Sequence, residues 1–181
     1  MKDKSQLLNY TIPQLLRWRV KETGAKVALR EKDFGYWNNY TWNDFYDYVR
    51  KIALGLEKVG VKRGDKLALI GDNIPEMLFM AIGAQSIGAV SAGIYQTTLP
   101  DEIAELINYM DVTAVFCDDQ EQVDKLVEIR DRIPQVRKVI YEDPRGMRSY
   151  RSDDWFLLIE DLYEIGAAAN AESPEKYDTL I

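Results

Sequence analysis

Four short apolar runs begin at Leu67, Val90, Thr113 and Val136, and each start lies 23 residues beyond the last. Helical spacing fills the gaps between them. Leu67–Ile70 precedes a helix over Pro75–Ile87. Val90–Ile94 precedes one opening at Pro100, with Ile103, Leu106, Ile107 and Met110 on one face. Thr113–Cys117 precedes one carrying Val123, Leu126, Val127 and Ile133, which Pro134 ends, and Val136–Tyr141 is the fourth run. A strand, a crossover helix and a returning parallel strand need about this much chain. The runs are continuously apolar rather than alternating, the pattern of strands covered on both faces. The expected fold is α/β: a doubly wound parallel sheet with flanking helices. The helices share no motif, so the repeat is one of fold and not of a solenoid.

Upstream, Thr11 and Pro13 open a short helix with Ile12, Leu15, Leu16 and Val20 at helical spacing, closed near Gly24. Val27–Arg30 and Trp37–Thr41, joined through Asp33-Phe34-Gly35, read as a small β-hairpin. Thr41 with Asp44 three residues later is a capping-box start. Phe45, Val49, Ile52, Leu56 and Val59 then share one helical face up to Gly60. Downstream, residues 142–154 read as a polar loop, Trp155–Ala169 as a last helix and residues 170–178 as a polar linker. The expected division is residues 1–64 (helix, hairpin and long helix), 65–141 (parallel βαβ unit) and 142–181 (acidic loop, last helix and linker).

Composition narrows the chemistry. The chain has 181 residues and no histidine, which excludes a Ser-His-Asp triad, a Cys-His dyad and His-ligated zinc within it. Its one cysteine, Cys117, closes no intrachain disulfide, and at the end of an apolar run it reads as a buried, inert thiol. The net charge of −7 argues against nucleic acid as a partner. Residues 1–117 carry 14 acids and 14 bases, and residues 118–181 carry 16 and 9, so the whole excess lies in the last third. Such charge runs are usually solvated surface. The uncharged stretch Met77–Leu99 is long enough to span a bilayer, but Gln85, Ser86, Ser91, Gln96 and glycines at 83, 88 and 93 make it a buried helix followed by a buried strand. The first ten residues lack the apolar core of a signal peptide, and the expected location is cytoplasmic.

Open parallel sheets place ligands outside the carboxyl ends of their strands. Three such ends are Gly71-Asp72-Asn73, Tyr95-Gln96-Thr97-Thr98 and Asp118-Asp119. Each leads into a helix start, where free N–H groups attract anions. Asn73 and Thr98 read more simply as caps for the helices opening at Pro75 and Pro100. Tyr95 suits a pocket wall, or a core position with its hydroxyl at the surface. Asn73, Tyr95, Gln96 and Thr97 are the candidate substrate-pocket residues. There is no G-x-G-x-x-G and no G-x-x-x-x-G-K-[ST]. No carboxylate cluster is spaced for a metal.

Several segments carry a family likeness. Tyr40-Thr41-Trp42-Asn43-Asp44-Phe45 with Ala53-Leu54-Gly55-Leu56 resembles the first motif of the adenylate-forming acyl-CoA synthetases. Gly60-Val61-Lys62-Arg63-Gly64-Asp65-Lys66-Leu67-Ala68-Leu69 is similar to the family's entry into its first sheet strand. Asp72-Asn73-Ile74-Pro75-Glu76 resembles its N-x-P-E turn, Gly83 through Tyr95 its second motif, and Leu99-Pro100-Asp101-Glu102-Ile103 the segment that follows. The likeness runs from about Thr11 to Ile181, in order, and Tyr36-Trp37 places it nearest the long-chain fatty acid branch. The resemblance implies an ATP-dependent ligase with Mg²⁺ and coenzyme A as cofactors and a fatty acid as substrate: the acid becomes acyl-AMP and then acyl-CoA. The family's T-S-G-T-T-G-x-P-K-G phosphate loop is absent, and Asp178–Ile181 resembles the strand that leads into it. The resemblance thus assigns no catalytic, cofactor-binding or metal residue here. It implies the N-terminal subdomain of a synthetase, inactive and cofactor-free alone, partnered by the rest of the synthetase chain. Such a piece exposes apolar surface that favours homo-oligomers. Peripheral membrane association follows from the resemblance only, since no basic amphipathic segment supports it. The alternative is a free-standing flavodoxin-like ligand-binding or interaction module.

Overall fold

The computed structural model describes residues 7–181. Helix α1 (Ile12–Thr23) opens on a full capping box: Thr11 Oγ accepts from Gln14 N, and the Gln14 side chain accepts from Thr11 N. The antiparallel hairpin β1 (Val27–Asp33) and β2 (Tyr36–Thr41) turns at Phe34-Gly35, both at positive φ, and is mostly solvent-exposed. Thr41 then caps α2 (Trp42–Lys58), whose inward face is buried from Phe45 to Leu56.

The main sheet has five strands, all parallel: β3 (Lys66–Ile70), β4 (Val90–Ile94), β5 (Val112–Cys117), β6 (Lys138–Tyr141) and β7 (Phe156–Leu158). They are ordered β4-β3-β5-β6-β7. The crossovers run through α3 (Pro75–Ser86), α4 (Pro100–Met110) and α5 (Gln120–Glu128), the last followed by a 3₁₀ turn at Arg130–Arg132. Helix α6 (Ile159–Glu172) and the short α7 (Lys176–Leu180) complete the chain.

Side chains alternate across the sheet into two cores. Leu67, Leu69, Ala114, Phe116 and Ile140 face one layer with α2, α3 and α6. Ala68, Ile70, Val115, Cys117 and Val139 face the other with α4 and α5. Both faces are covered, which is why the strands are apolar at consecutive positions. The four expected strands, the double winding and the hairpin are present.

Three local readings are corrected. Residues 155–158 do not begin the last helix: Phe156–Leu158 adds a fifth strand on β6, and the helix starts at Ile159. Asp178–Leu180 is not a strand but the end of α7, held by Tyr177, which is buried and shares a 3.2 Å hydrogen bond with Ser86. Asn73 and Thr98 are not caps. The N-cap positions are Ile74 and Leu99, neither with a side-chain cap, because their apolar side chains carry no acceptor; proline at the first helical position leaves one fewer N–H unmet.

Candidate functional site

The strand order reverses between β3 and β5, so their carboxyl ends flank the switch point where such folds place ligands. A chain of hydrogen bonds ties the loops there together. Gln96 Nε2 donates to Asp72 Oδ1 (2.7 Å), joining the loop after β4 to the loop after β3. Asp72 N donates to Asp118 Oδ2 (2.7 Å), joining it to the loop after β5. Asp143 N donates to Asp118 O (2.8 Å), extending the link to the loop after β6. Lys125 Nζ donates to Gln96 O and pairs with Glu121. Gly71 makes this arrangement feasible: at φ +152 its missing Cβ would lie 2.4 Å from the Asp118 carboxylate carbon. Asp118 is 8% exposed, and burial raises its pKa.

A second group of acids gathers at the same end from distant parts of the chain. Glu76 lies in the first turn of α3, Glu142 follows β6, and Glu160 lies in the first turn of α6. Burial first, then the charges of Glu76, Asp143 and Glu160, push the Glu142 pKa up to about 7. Burial also raises Glu76. Tyr163 stands among them, its hydroxyl buried without a hydrogen-bond partner and its pKa raised by burial and by Glu76. Tyr163 packs against Tyr48, which stacks on Phe79 with ring centroids 4.9 Å apart.

Between the hairpin and the β3–α3 corner lies an open cleft of about 830 Å³. Leu29, Glu31 and Trp37 form one wall, and Asp72, Asn73 and Met77 the other. Of the four candidate residues, Asn73 lines this cleft. Gln96 is tied to it through Asp72, while Thr97 and Tyr95 are exposed, Tyr95 at 86%, and neither lines the cleft. Glu76, Glu142, Glu160 and Tyr163 escaped sequence reasoning, because only the sheet topology brings them together.

The edge does not fit a polyphosphate. Helices α3 and α4 carry proline at the first position, which removes an N–H, and acids in the first turn: Glu76, and Asp101 with Glu102. Helix α5 is capped by Asp119 with Glu121 beside it, and α6 carries Glu160 and Asp161. These carboxylates already answer the positive ends of the helix dipoles. The acids in the first turns of these helices offset part of the field that attracts anions there. Among the described residues, no group of three or more His, Cys, Asp or Glu is placed to hold a metal ion. No described helix is long and apolar enough to cross a membrane.

Topology and switch point define a doubly wound α/β protein with a ligand-facing carboxyl edge. The sequence model of the AMP-binding enzyme family matches residues 16–176, and the chain belongs to that family. It is 28% identical over 167 residues to the Rattus norvegicus long-chain-fatty-acid–CoA ligase ACSBG1, covering 92% of this chain and 23% of that protein. The chain thus spans about a quarter of the length of the curated relatives it matches. Its fold matches the anthranilate CoA ligase AuaEII, solved with anthranoyl-AMP, at a TM-score of 0.75 and 17% identity, over 86% of this chain and 28% of that one. The A-PCP didomain of the Segniliparus rugosus carboxylic acid reductase, solved with AMP, gives a TM-score of 0.74 at 15% identity, over 91% of this chain and 28% of that one.

Proposed function

We propose that this chain is the N-terminal scaffold of an AMP-forming acid–CoA ligase acting on long-chain fatty acids, which converts an acid to acyl-AMP and then to acyl-CoA. The observation that carries the reading is the family match over residues 16–176, on a fold shared with acid–CoA ligases. The relatives' names supply the long-chain acid as substrate. ATP, Mg²⁺ and coenzyme A are bound by the longer protein, its phosphate-binding groups coming from outside residues 1–181. The chain's own part is to hold the strand ends in register through Asp118, Asp72 and Gln96, and to offer one side of the acid's pocket. Asn73 in the cleft, with Gln96 and Thr97 along the adjoining corner, belongs to that side.

The test is acid-dependent ATP–pyrophosphate exchange with palmitate. The chain alone is expected to show none. Co-expressed with the remaining three quarters of a long-chain relative, it should restore exchange. Association of the two parts with no exchange would overturn the reading, and so would exchange by the chain alone. The β4-β3-β5-β6-β7 order is that of flavodoxin-like folds, which keeps a second reading as a free-standing module in view. It predicts saturable FMN binding by calorimetry, where the ligase reading predicts a flat titration.

A further inference from the structure

Helix α1 leans across α2 and α3 and leaves a surface groove of about 370 Å³. Leu16 and Phe45 form its floor, 4% and 6% exposed. Leu15, Trp18, Trp42 and Ile82 make the walls, and Ile12 stands at the lip, 53% exposed. The lining is hydrocarbon and aromatic ring, except at one place. There Arg19 lays its guanidinium over the Trp42 ring, 5.3 Å from the centroid.

That guanidinium has no carboxylate partner among the described residues, whereas Arg17 on the same helix pairs with Asp178 at 3.2 Å. Helix α1 carries Arg17, Arg19 and Lys21 against Glu22 alone, in a chain whose net charge is −7. An unpaired cation held against an aromatic ring at the end of an apolar trough is complementary to one kind of molecule: a single hydrocarbon chain with an anionic head. The volume lies within the range of small-ligand sites. Its floor at Leu16 and Phe45 is buried below the exposed lip at Ile12, which suits a single chain.

We infer that the α1–α2–α3 groove binds a monomeric anionic amphiphile, with the chain laid along Leu16, Phe45 and Ile82 and the head on Arg19. This groove shares no lining residue with the cleft at the strand ends, and its assignment does not rest on the ligase reading. The test uses the 181-residue chain and dodecanoate below its micelle threshold, with 12-bromododecanoate as a quencher of tryptophan fluorescence. Expected are saturable one-to-one quenching and a preference of about tenfold over dodecanol, the scale of a charged hydrogen bond. Arg19→Glu should abolish that preference and favour dodecylammonium. Ile12→Asp, at the exposed lip, should weaken all three probes while leaving the circular dichroism unchanged. In a Trp18→Phe/Trp42→Phe variant, Trp37 and Trp155 should remain unquenched. Affinity blind to the head group would overturn the inference, as would quenching unchanged in Arg19→Glu. Binding seen only to phosphatidylserine vesicles and not to monomers would replace it with a membrane surface.

Discussion

Gly166→Ala is expected to destabilise the fold, although glycine-to-alanine inside a helix ordinarily stabilises by roughly 1 kcal/mol. The reason is the crossing of α6 over α2. A methyl group on Gly166 would lie 1.8 Å from the carbonyl oxygen of Lys51 and 2.6 Å from its carbonyl carbon. Those are backbone atoms within a helix, so no side-chain rotation gives relief. The approach is reciprocal: a methyl on Gly55 of α2 would lie 2.7 Å from the carbonyl oxygen of Leu162. The helices must part, loosening a core in which Ile52 and Leu162 are fully buried. Overpacking of this kind costs about 1–3 kcal/mol, and a backbone clash sits at the upper end. After the propensity gain, the net loss is about 2 kcal/mol, or a fall in Tm of roughly 4–8 °C for a chain of this size. Urea unfolding measures it as a lower midpoint at unchanged slope. Gly93→Ala is the control, since nothing lies within 4 Å of its position. A Gly166→Ala protein as stable as the parent would refute the helix crossing described.

Other substitutions probe the strand ends and the caps. Glu142 binds its proton more tightly when folded, at about 7 against an ordinary 4.5, so its contribution to stability falls as pH rises through that window. Glu142→Gln should therefore raise Tm at pH 8, by about 2–4 °C for each kcal/mol relieved, and the gain should vanish below about pH 4.5 in a differential-scanning series. Thr41→Ala removes the hydroxyl that caps α2 and should cost about 1 kcal/mol in urea unfolding. The same hydroxyl holds the Asp44 pKa below its ordinary value, which stabilises the parent above that value and is lost as pH falls. Thr41→Ala should flatten this acid-side dependence. Cys117 is fully buried, and burial raises its pKa, so it should react with Ellman's reagent only as the chain unfolds in urea.

The strands of the sheet core were legible because burial on both faces writes itself as continuous apolar runs at a fixed interval. The fifth strand was not. Trp155-Phe156-Leu157-Leu158-Ile159 runs unbroken from a three-residue strand into a helix, and a short apolar run carries no period that separates the two. At the end of the chain, the family resemblance supplied a strand that the local fold does not form. Local pattern does not reveal that Tyr177 is anchored in the core against Tyr46 and Ser86, which fixes a helical turn there. At the site, Asn73 and Gln96 could be placed near the switch point because they sit at strand ends. The Glu76, Glu142 and Glu160 grouping had no sequence signal, being a product of strand order alone. Pro75, Glu76, Pro100 and Asp101 were also legible, and they offset part of the anion-attracting field at those helix starts.

The central claim is that this chain is scaffold and acid-side wall, with phosphate handled elsewhere in a longer protein. Calorimetric titration of the 181-residue chain with Mg²⁺·ATP tests it most directly. The account predicts no saturable heat up to millimolar nucleotide, because every helix start at the strand ends carries its own carboxylates. Stoichiometric, saturable binding would contradict it.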